Sequence, residues 1–302
     1  MRLAFGTGVK EAIDARRGVV ALESTVIAHG LPRPKNLETA WLLERDVRDA
    51  GAVPATICLA DGVLVIGAGD TLLARLANED GVAKVSTRDL APFLSSVEAD
   101  RLGATTVAAT VEIAAQAGIE VFATGGIGGV HRGADRTMDV SADLRAIATH
   151  PVVVVCAGAK LVLDLAKTLE ALETLGVPVI GYGTDDLPAF YVRASGLKLP
   201  YRVEGPVAAA RIARVQLDRG SGMVVCVPIP EASALPRAEM EREIDAALGA
   251  ADRAGVRGSD VTPFLLAQLG EASSGRTLEA NIALLRNNAR AAAAIATALA
   301  GL

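Results

Sequence analysis

Seven short runs along the chain are apolar at nearly every position: residues 18–22, 53–59, 63–66, 120–123, 152–156, 177–180 and 223–227. Uninterrupted runs of this length, rich in valine and isoleucine, mark strands buried on both faces rather than strands with one wet face. Between them the apolar positions recur at helical spacing, which predicts helices over 36–50, 71–77, 105–118, 141–148, 161–175 and 206–219. Strand and helix therefore alternate. The pattern predicts an α/β protein, a three-layer α/β/α sandwich around a largely parallel mixed sheet, with Asp61-Gly62 turning one antiparallel hairpin. After residue 236 the alternation stops, and 237–254, 259–269 and 277–300 read as three successive helices, a helical C-terminal segment.

Length and composition narrow this picture. A chain of 302 residues leaves room for two domains, yet no linker rich in proline, serine or charge divides it, so one domain over 1–302 is the simpler expectation. The net charge of −5 argues against nucleic acid as a partner. No secretory leader opens the chain, and no apolar run reaches the roughly 18 residues of a membrane span, so a soluble cytoplasmic protein is expected. Cys58, Cys156 and Cys226 sit in separate strand-like runs with no metal-binding spacing and read as small core residues.

One lysine stands out. Lys160 follows the run Val152 to Cys156 and the small turn Ala157-Gly158-Ala159, at the start of a predicted helix, in a chain with only six lysines among 30 basic residues. Desolvation at such a place favours the neutral amine, the form that attacks a carbonyl carbon. The plain alternative is a stem lying on apolar surface with its head in water. Glu23 ends the first long strand, where the functional groups of open α/β sheets gather, and is a candidate general acid. His29, a few residues on, shows no partner and reads as structural.

A second cluster is Thr124-Gly125-Gly126-Ile127-Gly128-Gly129-Val130-His131-Arg132-Gly133. Four glycines in five residues after a strand let backbone N–H groups approach an anion, with His131 and Arg132 at hand, although the spacing fits neither dinucleotide nor Walker loops. Close by, Ser141 reads as a helix cap with Asp143 in the first turn, and Asp139 stands just before that helix as a lone candidate ligand for a hydrated divalent cation. Lys84, in Lys84-Val85-Ser86, reads either as a phosphate contact or as the solvated start of a helix. Asn281, Asn287 and Asn288 interrupt the tail helix, where an asparagine on a buried face pairs a donor and an acceptor with a base edge or a sugar hydroxyl.

Taken together, the ordered strings ALESTVIAHGLP (21–32), PATI (54–57), GATTVAAT (103–110), FATGGIGGVHRG (122–133), DVSADL (139–144), CAGAK (156–160), TLEALETLGVP (168–178) and TPFL (262–265) resemble the pseudouridine-5'-phosphate glycosidase family, also called indigoidine synthase A-like. The resemblance runs from about residue 5 to residue 300. It implies reversible cleavage of the C–C bond of pseudouridine 5'-phosphate to uracil and ribose 5-phosphate. A carbon leaving group has no lone pair for the proton that ordinary glycosidases deliver, and an amine nucleophile answers that difficulty. By motif position the resemblance makes Lys160 the nucleophile and Glu23 the proton donor. It gives Asp139 a manganese ion, one per subunit, and makes Lys84, Val107, Ser141, Ala142 and Asp143 substrate contacts. Thr124 and His131 are expected at the phosphate and Asn281 at the uracil edge, and a homotrimer is implied. The residues alone leave open a Schiff-base aldolase or lyase on another sugar phosphate, an N-glycoside hydrolase, or a sugar-phosphate binding protein without turnover.

Overall fold

The computed structural model describes residues 2–96, 100–256 and 261–302. Its sheet has 11 strands: β1 Leu3–Phe5, β2 Val19–Leu22, β3 Val53–Ala60, β4 Val63–Ile66, β5 Ala83–Val85, β6 Leu102–Thr105, β7 Val121–Ala123, β8 Val153–Cys156, β9 Val179–Tyr182, β10 Tyr201–Val203 and β11 Met223–Cys226. The helices are α1 Val9–Asp14, α2 Lys35–Asp49, α3 Asp70–Asn78, α4 Leu90–Leu94, α5 Val107–Ala117, α6 Ala134–Thr137, α7 Ala142–Thr149, α8 Leu165–Thr174, α9 Pro206–Asp218, α10 Arg237–Arg253, α11 Val261–Ala272 and α12 Arg276–Ala300. The predicted helix over 259–269 begins at Ser259 and Asp260, which lie outside the described residues.

The strand order β1-β4-β3-β2-β7-β8-β11-β9-β10 is parallel from β3 through to β10. β3 divides its length between two partners. Val53 to Thr56 pair in parallel with β2, whereas Ile57 to Ala60 pair antiparallel with β4 and β6, so the sheet is mixed at this end. The hairpin between β3 and β4 turns at Asp61 and Gly62, both with positive φ (50° and 72°), as a tight two-residue turn requires. β8 and β11 are buried at every position, which is what continuous β-branched runs predict.

Helices cover both faces. α2, α9 and α12 pack together on one side, with α12 lying over β2, β7 and β8, while α5 and α7 cover the other. The long tail helix is thus part of the sandwich rather than an appendage. It is clamped to α2 by the buried Asp46, whose carboxylate accepts from Arg286 at 2.6 and 3.0 Å and from Arg290 at 2.7 and 3.1 Å. Burial alone would raise the Asp46 carboxyl, but the bonds from Arg286 and Arg290 prevail and hold it below the ordinary value.

Four strands carry no clear signal in the sequence. β1, β5, β6 and β10 have three or four residues each, and Lys84, Gly103 and Arg202 break their apolar character. The predicted helix over 105–118 gives its first residue to β6, and Thr106 caps α5 by accepting from Ala109 N. The helix expected from 161 starts at Leu165, because Asp164 accepts the Lys167 amide as its cap. Residues 160–164 are instead tied to the glycine loop.

Candidate active site

Because β2, β7 and β8 are adjacent and parallel, the residues that follow them emerge at one edge of the sheet. Glu23 follows β2, Thr124 follows β7, and Lys160 ends the turn after β8. The pairing of β7 with β8 continues beyond both strands: Thr124 N donates to Val155 O (3.0 Å), Ala157 N to Gly125 O (3.0 Å), Ile127 N to Gly158 O (3.1 Å) and Lys160 N to Ile127 O (3.1 Å). The glycine loop and the lysine turn are therefore one zipped unit, which places Lys160 far more firmly than an ordinary loop would.

Two glycines make that unit buildable. Gly158 has φ +81°, and a side chain there would run into Pro188 O at 2.0 Å. At Gly128 a Cβ would meet Ser141 Oγ at 2.3 Å and Asp143 Oδ2 at 2.8 Å. This contact matters because Asp143 takes the Gly128 N–H at 2.7 Å and the Ala108 N–H at 3.0 Å, one carboxylate joining the glycine loop to the start of α5. Ser141 caps α7 by accepting from Asp143 N at 3.2 Å. The N-termini of α5 and α7 thus converge on the loop, a place where backbone donors and helix dipoles favour an anion.

Glu23, Lys84, Thr124, Lys160 and Asn281 line one narrow cleft of about 90 Å³ that opens to solvent. The Glu23 carboxylate accepts from the Thr124 hydroxyl at 2.5 Å and from the Thr25 hydroxyl. Both its oxygens are oriented by hydroxyls, with no cation paired to it among the described residues. Among those residues the Lys160 amine likewise has neither hydrogen bond nor ion pair. Thr124 is held in turn by α12: the Asn288 carboxamide, fully buried, donates to Thr124 O at 2.8 Å, while its own oxygen has no partner.

Other expected residues sit apart from this cleft. Val107 is buried in the first turn of α5, and Ala142 is exposed at the first turn of α7. His131 Nδ1 lies 3.8 Å from Asp139 Oδ2, with Asp139 partly exposed. Among the described residues no three His, Cys, Asp or Glu side chains gather as a metal cage. A single carboxylate fits only a hard ion that keeps most of its waters. The three cysteines are buried and free, and burial pushes the Cys58 thiol up to about 12, far from a reactive thiolate.

Two cleft residues escaped the sequence reading. His29 belongs to a π-helical turn, Val26–Gly30, a geometry enriched at functional sites, and its ring lies near the backbone of Val82 and Ala83, beside Lys84. Desolvation first, and the Lys84 charge second, hold it below the ordinary imidazole value. Phe190 sits at φ +58°, donates its N–H to Ala157 O at 2.9 Å and presses its ring on Gly126. The π-turn and the strained phenylalanine would be visible only through local geometry, since neither has a periodic signature.

A parallel α/β sheet that brings an amine and a hydroxyl-oriented carboxylate into one cleft places an enzyme's complement of groups at the strand ends, where the functional groups of open α/β sheets gather. The comparisons with known proteins fix the family. The model of the indigoidine synthase A-like proteins matches residues 8–298, and the chain belongs to that family. A relative from Chloroflexus aurantiacus is 55% identical over 97% of each chain, and one from Solibacter usitatus is 52% identical over 99% of this chain and 100% of its own. Both are named pseudouridine-5'-phosphate glycosidase. Among solved structures, a prealnumycin C-glycosynthase in complex with ribulose 5-phosphate superposes with a TM-score of 0.91 at 42% identity, covering 100% of this chain and 98% of its own. An indigoidine synthase A-like protein from Thermotoga maritima superposes at 0.88, with 34% identity over 99% of this chain and 97% of its own.

Proposed function

We propose that this protein is a pseudouridine-5'-phosphate glycosidase, which reversibly cleaves the C–C glycosidic bond to give uracil and ribose 5-phosphate. Relatives of that name at about half identity over the full chain support the activity. The observation that carries the mechanism is the unpaired Lys160 amine sharing a cleft with Glu23. Uracil C5 is a poor leaving group from an intact ribose ring. Opening the ring breaks the C1'–O4' bond, with Glu23 supplying the proton to O4'. The neutral Lys160 amine bonds to C1', and the C1'–C5 electron pair leaves to uracil C5, which takes a proton, as C1' becomes an iminium. Water then attacks that carbon and releases the aldehyde of ribose 5-phosphate and the free amine.

In this reading Lys84 and the segment Ser141-Ala142-Asp143 at the α5 and α7 N-termini hold the sugar phosphate, with Val107 alongside and His131 nearby. Asn281 reads the base. Thr124, expected at the phosphate, has its hydroxyl committed to Glu23 and serves by orienting that acid. Asp139, with one carboxylate, would hold a largely hydrated manganese ion, which when bound adds positive charge and ordered water beside the phosphate end. The chain works as one domain, in a homotrimer, in the cytoplasm. The homotrimer rests on the resemblance, and the single domain and the location on the sequence pattern.

The test is direct. With pseudouridine 5'-phosphate and manganese, uracil and ribose 5-phosphate are expected in equal amounts, with uridine 5'-phosphate untouched. Release of uracil from uridine 5'-phosphate, or cleavage of another sugar phosphate in place of pseudouridine 5'-phosphate, would overturn the reading.

A further inference from the structure

Beside the reaction cleft lies a second cavity, of about 460 Å³ and open to solvent on one side, that shares three of its walls, His29, Gly30 and Asn281, with the cleft. The mechanism leaves it without a task. Leu31 and Pro32 from the segment after the π-turn, Tyr191, and Leu278 from the first turns of α12 give it an apolar side, with Glu271 and Thr277 as its polar members. Gly270 of α11 also faces it, and a Cβ built there meets nothing within 4 Å. That glycine has an ordinary helical φ, so neither backbone geometry nor a close neighbour demands it. Within a helix a glycine costs about 1 kcal/mol relative to alanine, and here it leaves the cavity wide.

The orientation of the substrate gives the cavity an occupant. The base is joined to ribose C1' through C5, and C1' must reach Lys160. The ring edge opposite C5, made of N1, C2 and N3, then faces away from the lysine, and in the proposed reading Asn281 contacts it. Asn281 stands on the wall between cleft and cavity. A group attached to N1 or N3 therefore projects past Asn281 into apolar space. Such a group leaves the C5–H bond intact, so the condensation balances as for uracil: C5–H and the sugar aldehyde give the C1'–C5 bond and one water.

We propose that this cavity is a subsite for an apolar substituent on the base, so that the enzyme forms and cleaves C-glycosides of uracils extended at the ring edge opposite C5. The inference rests on the proposed glycosidase reaction and deepens it by naming a wider substrate class. Apolar contact with Leu31, Pro32, Tyr191 and Leu278 offsets the loss of one hydrogen bond at the substituted nitrogen.

The test runs the reaction in the synthetic direction, with ribose 5-phosphate and either uracil, N1-benzyluracil or N3-benzyluracil, on the native protein and on Gly270→Phe and Gly270→Leu, which narrow the cavity from the α11 side. At least one benzyl derivative is expected to be converted with a kcat/KM within about tenfold of uracil. Both substitutions should lower that value by about tenfold or more while leaving uracil within about twofold. Conversion of uracil but of neither benzyl derivative would overturn the subsite and leave the glycosidase reading standing. So would equal conversion of a benzyl derivative by the native and narrowed proteins. No conversion of uracil by the native protein would remove the parent reading, and the subsite with it. Melting curves identify a variant that fails to fold, and the smaller leucine then serves in place of phenylalanine.

Discussion

The two edges of the sheet carry clefts of opposite character. At the amino edge of β2 and β7, Arg16, Arg17, Glu120 and Arg214 line an opening of about 490 Å³, against about 90 Å³ for the cleft at the carboxyl edge. There Glu120 is answered, since Arg214 donates to both its oxygens at 2.8 and 3.1 Å and lies 3.8 Å from Asp218, whereas Arg16 and Arg17 have no side-chain partner among the described residues. At the carboxyl edge the Lys160 amine meets no partner among the described residues, and the two hydroxyls on Glu23 orient it without neutralising it. Neither volume nor unpaired charge alone separates the two edges. What sets the carboxyl edge apart is an amine and a hydroxyl-oriented carboxylate brought into one cleft by adjacent parallel strands.

Substitutions that treat the two edges alike should separate them most sharply. Lys160→Ala is expected to lower kcat by a factor on the order of 10³ or more with little change in melting temperature, since it removes the nucleophile and no buried contact network. Arg214→Ala should do the reverse, leaving kcat within about twofold and costing about 1 kcal/mol or less of stability, the usual worth of a partly exposed ion pair. Steady-state kinetics beside denaturant melts would show both. Comparable kinetic losses at the two positions would break the comparison.

The next effect probes how the carboxyl edge is oriented. Thr124→Val deletes one of the two hydroxyls on Glu23, and a hydrogen bond to a charged group is worth about 1.5–3 kcal/mol, so kcat should fall about 10- to 100-fold with KM nearly unchanged. One step further out, Asn288→Leu takes the donor from the Thr124 carbonyl but also removes a buried oxygen without a partner. The two effects oppose, and a net loss near 1 kcal/mol of stability, with a smaller fall in kcat than Thr124→Val, is expected. A larger kinetic effect at Asn288 than at Thr124 would show that the helix, not the hydroxyl, sets the carboxylate.

What the chain discloses of itself follows the same division. β2, β3, β8 and β11 were legible because a strand covered on both faces must be apolar throughout, and the ends of β2, β7 and β8 pointed to Glu23, Thr124 and Lys160 as soon as the sheet was taken as parallel. β1, β5, β6 and β10 were not, since three or four residues are too few to show a period, and in β6 Gly103 breaks an otherwise buried run. The manner in which Thr124 acts was hidden as well: a threonine before a glycine run suits a phosphate, and only its 2.5 Å bond shows that the hydroxyl goes to Glu23. His29 was read as structural, yet it lines the cleft through a π-turn that hydrophobic periodicity cannot signal.

The smallest effect concerns the clamp that holds α12 over the site. Because Arg286 and Arg290 keep Asp46 below its ordinary value of 3.8, the unfolded chain binds that proton more readily than the folded one. The stability Asp46 contributes is complete above pH 3.8 and is lost as the pH falls through the lower folded value. Asp46→Asn should be less stable than the native protein at neutral pH, and the gap should narrow as urea melts are taken to lower pH below 3.8. A gap independent of pH would mean that Asp46 acts by packing rather than by charge.

The central claim is that the Lys160 amine becomes bonded to the sugar. Incubating the protein with ribose 5-phosphate, reducing with borohydride and mapping the modified peptide by mass spectrometry tests it most directly. The account predicts one added pentose phosphate, on Lys160 and on none of the other five lysines, and none in Lys160→Ala. Unlabelled Lys160 together with unimpaired turnover by Lys160→Ala would contradict it.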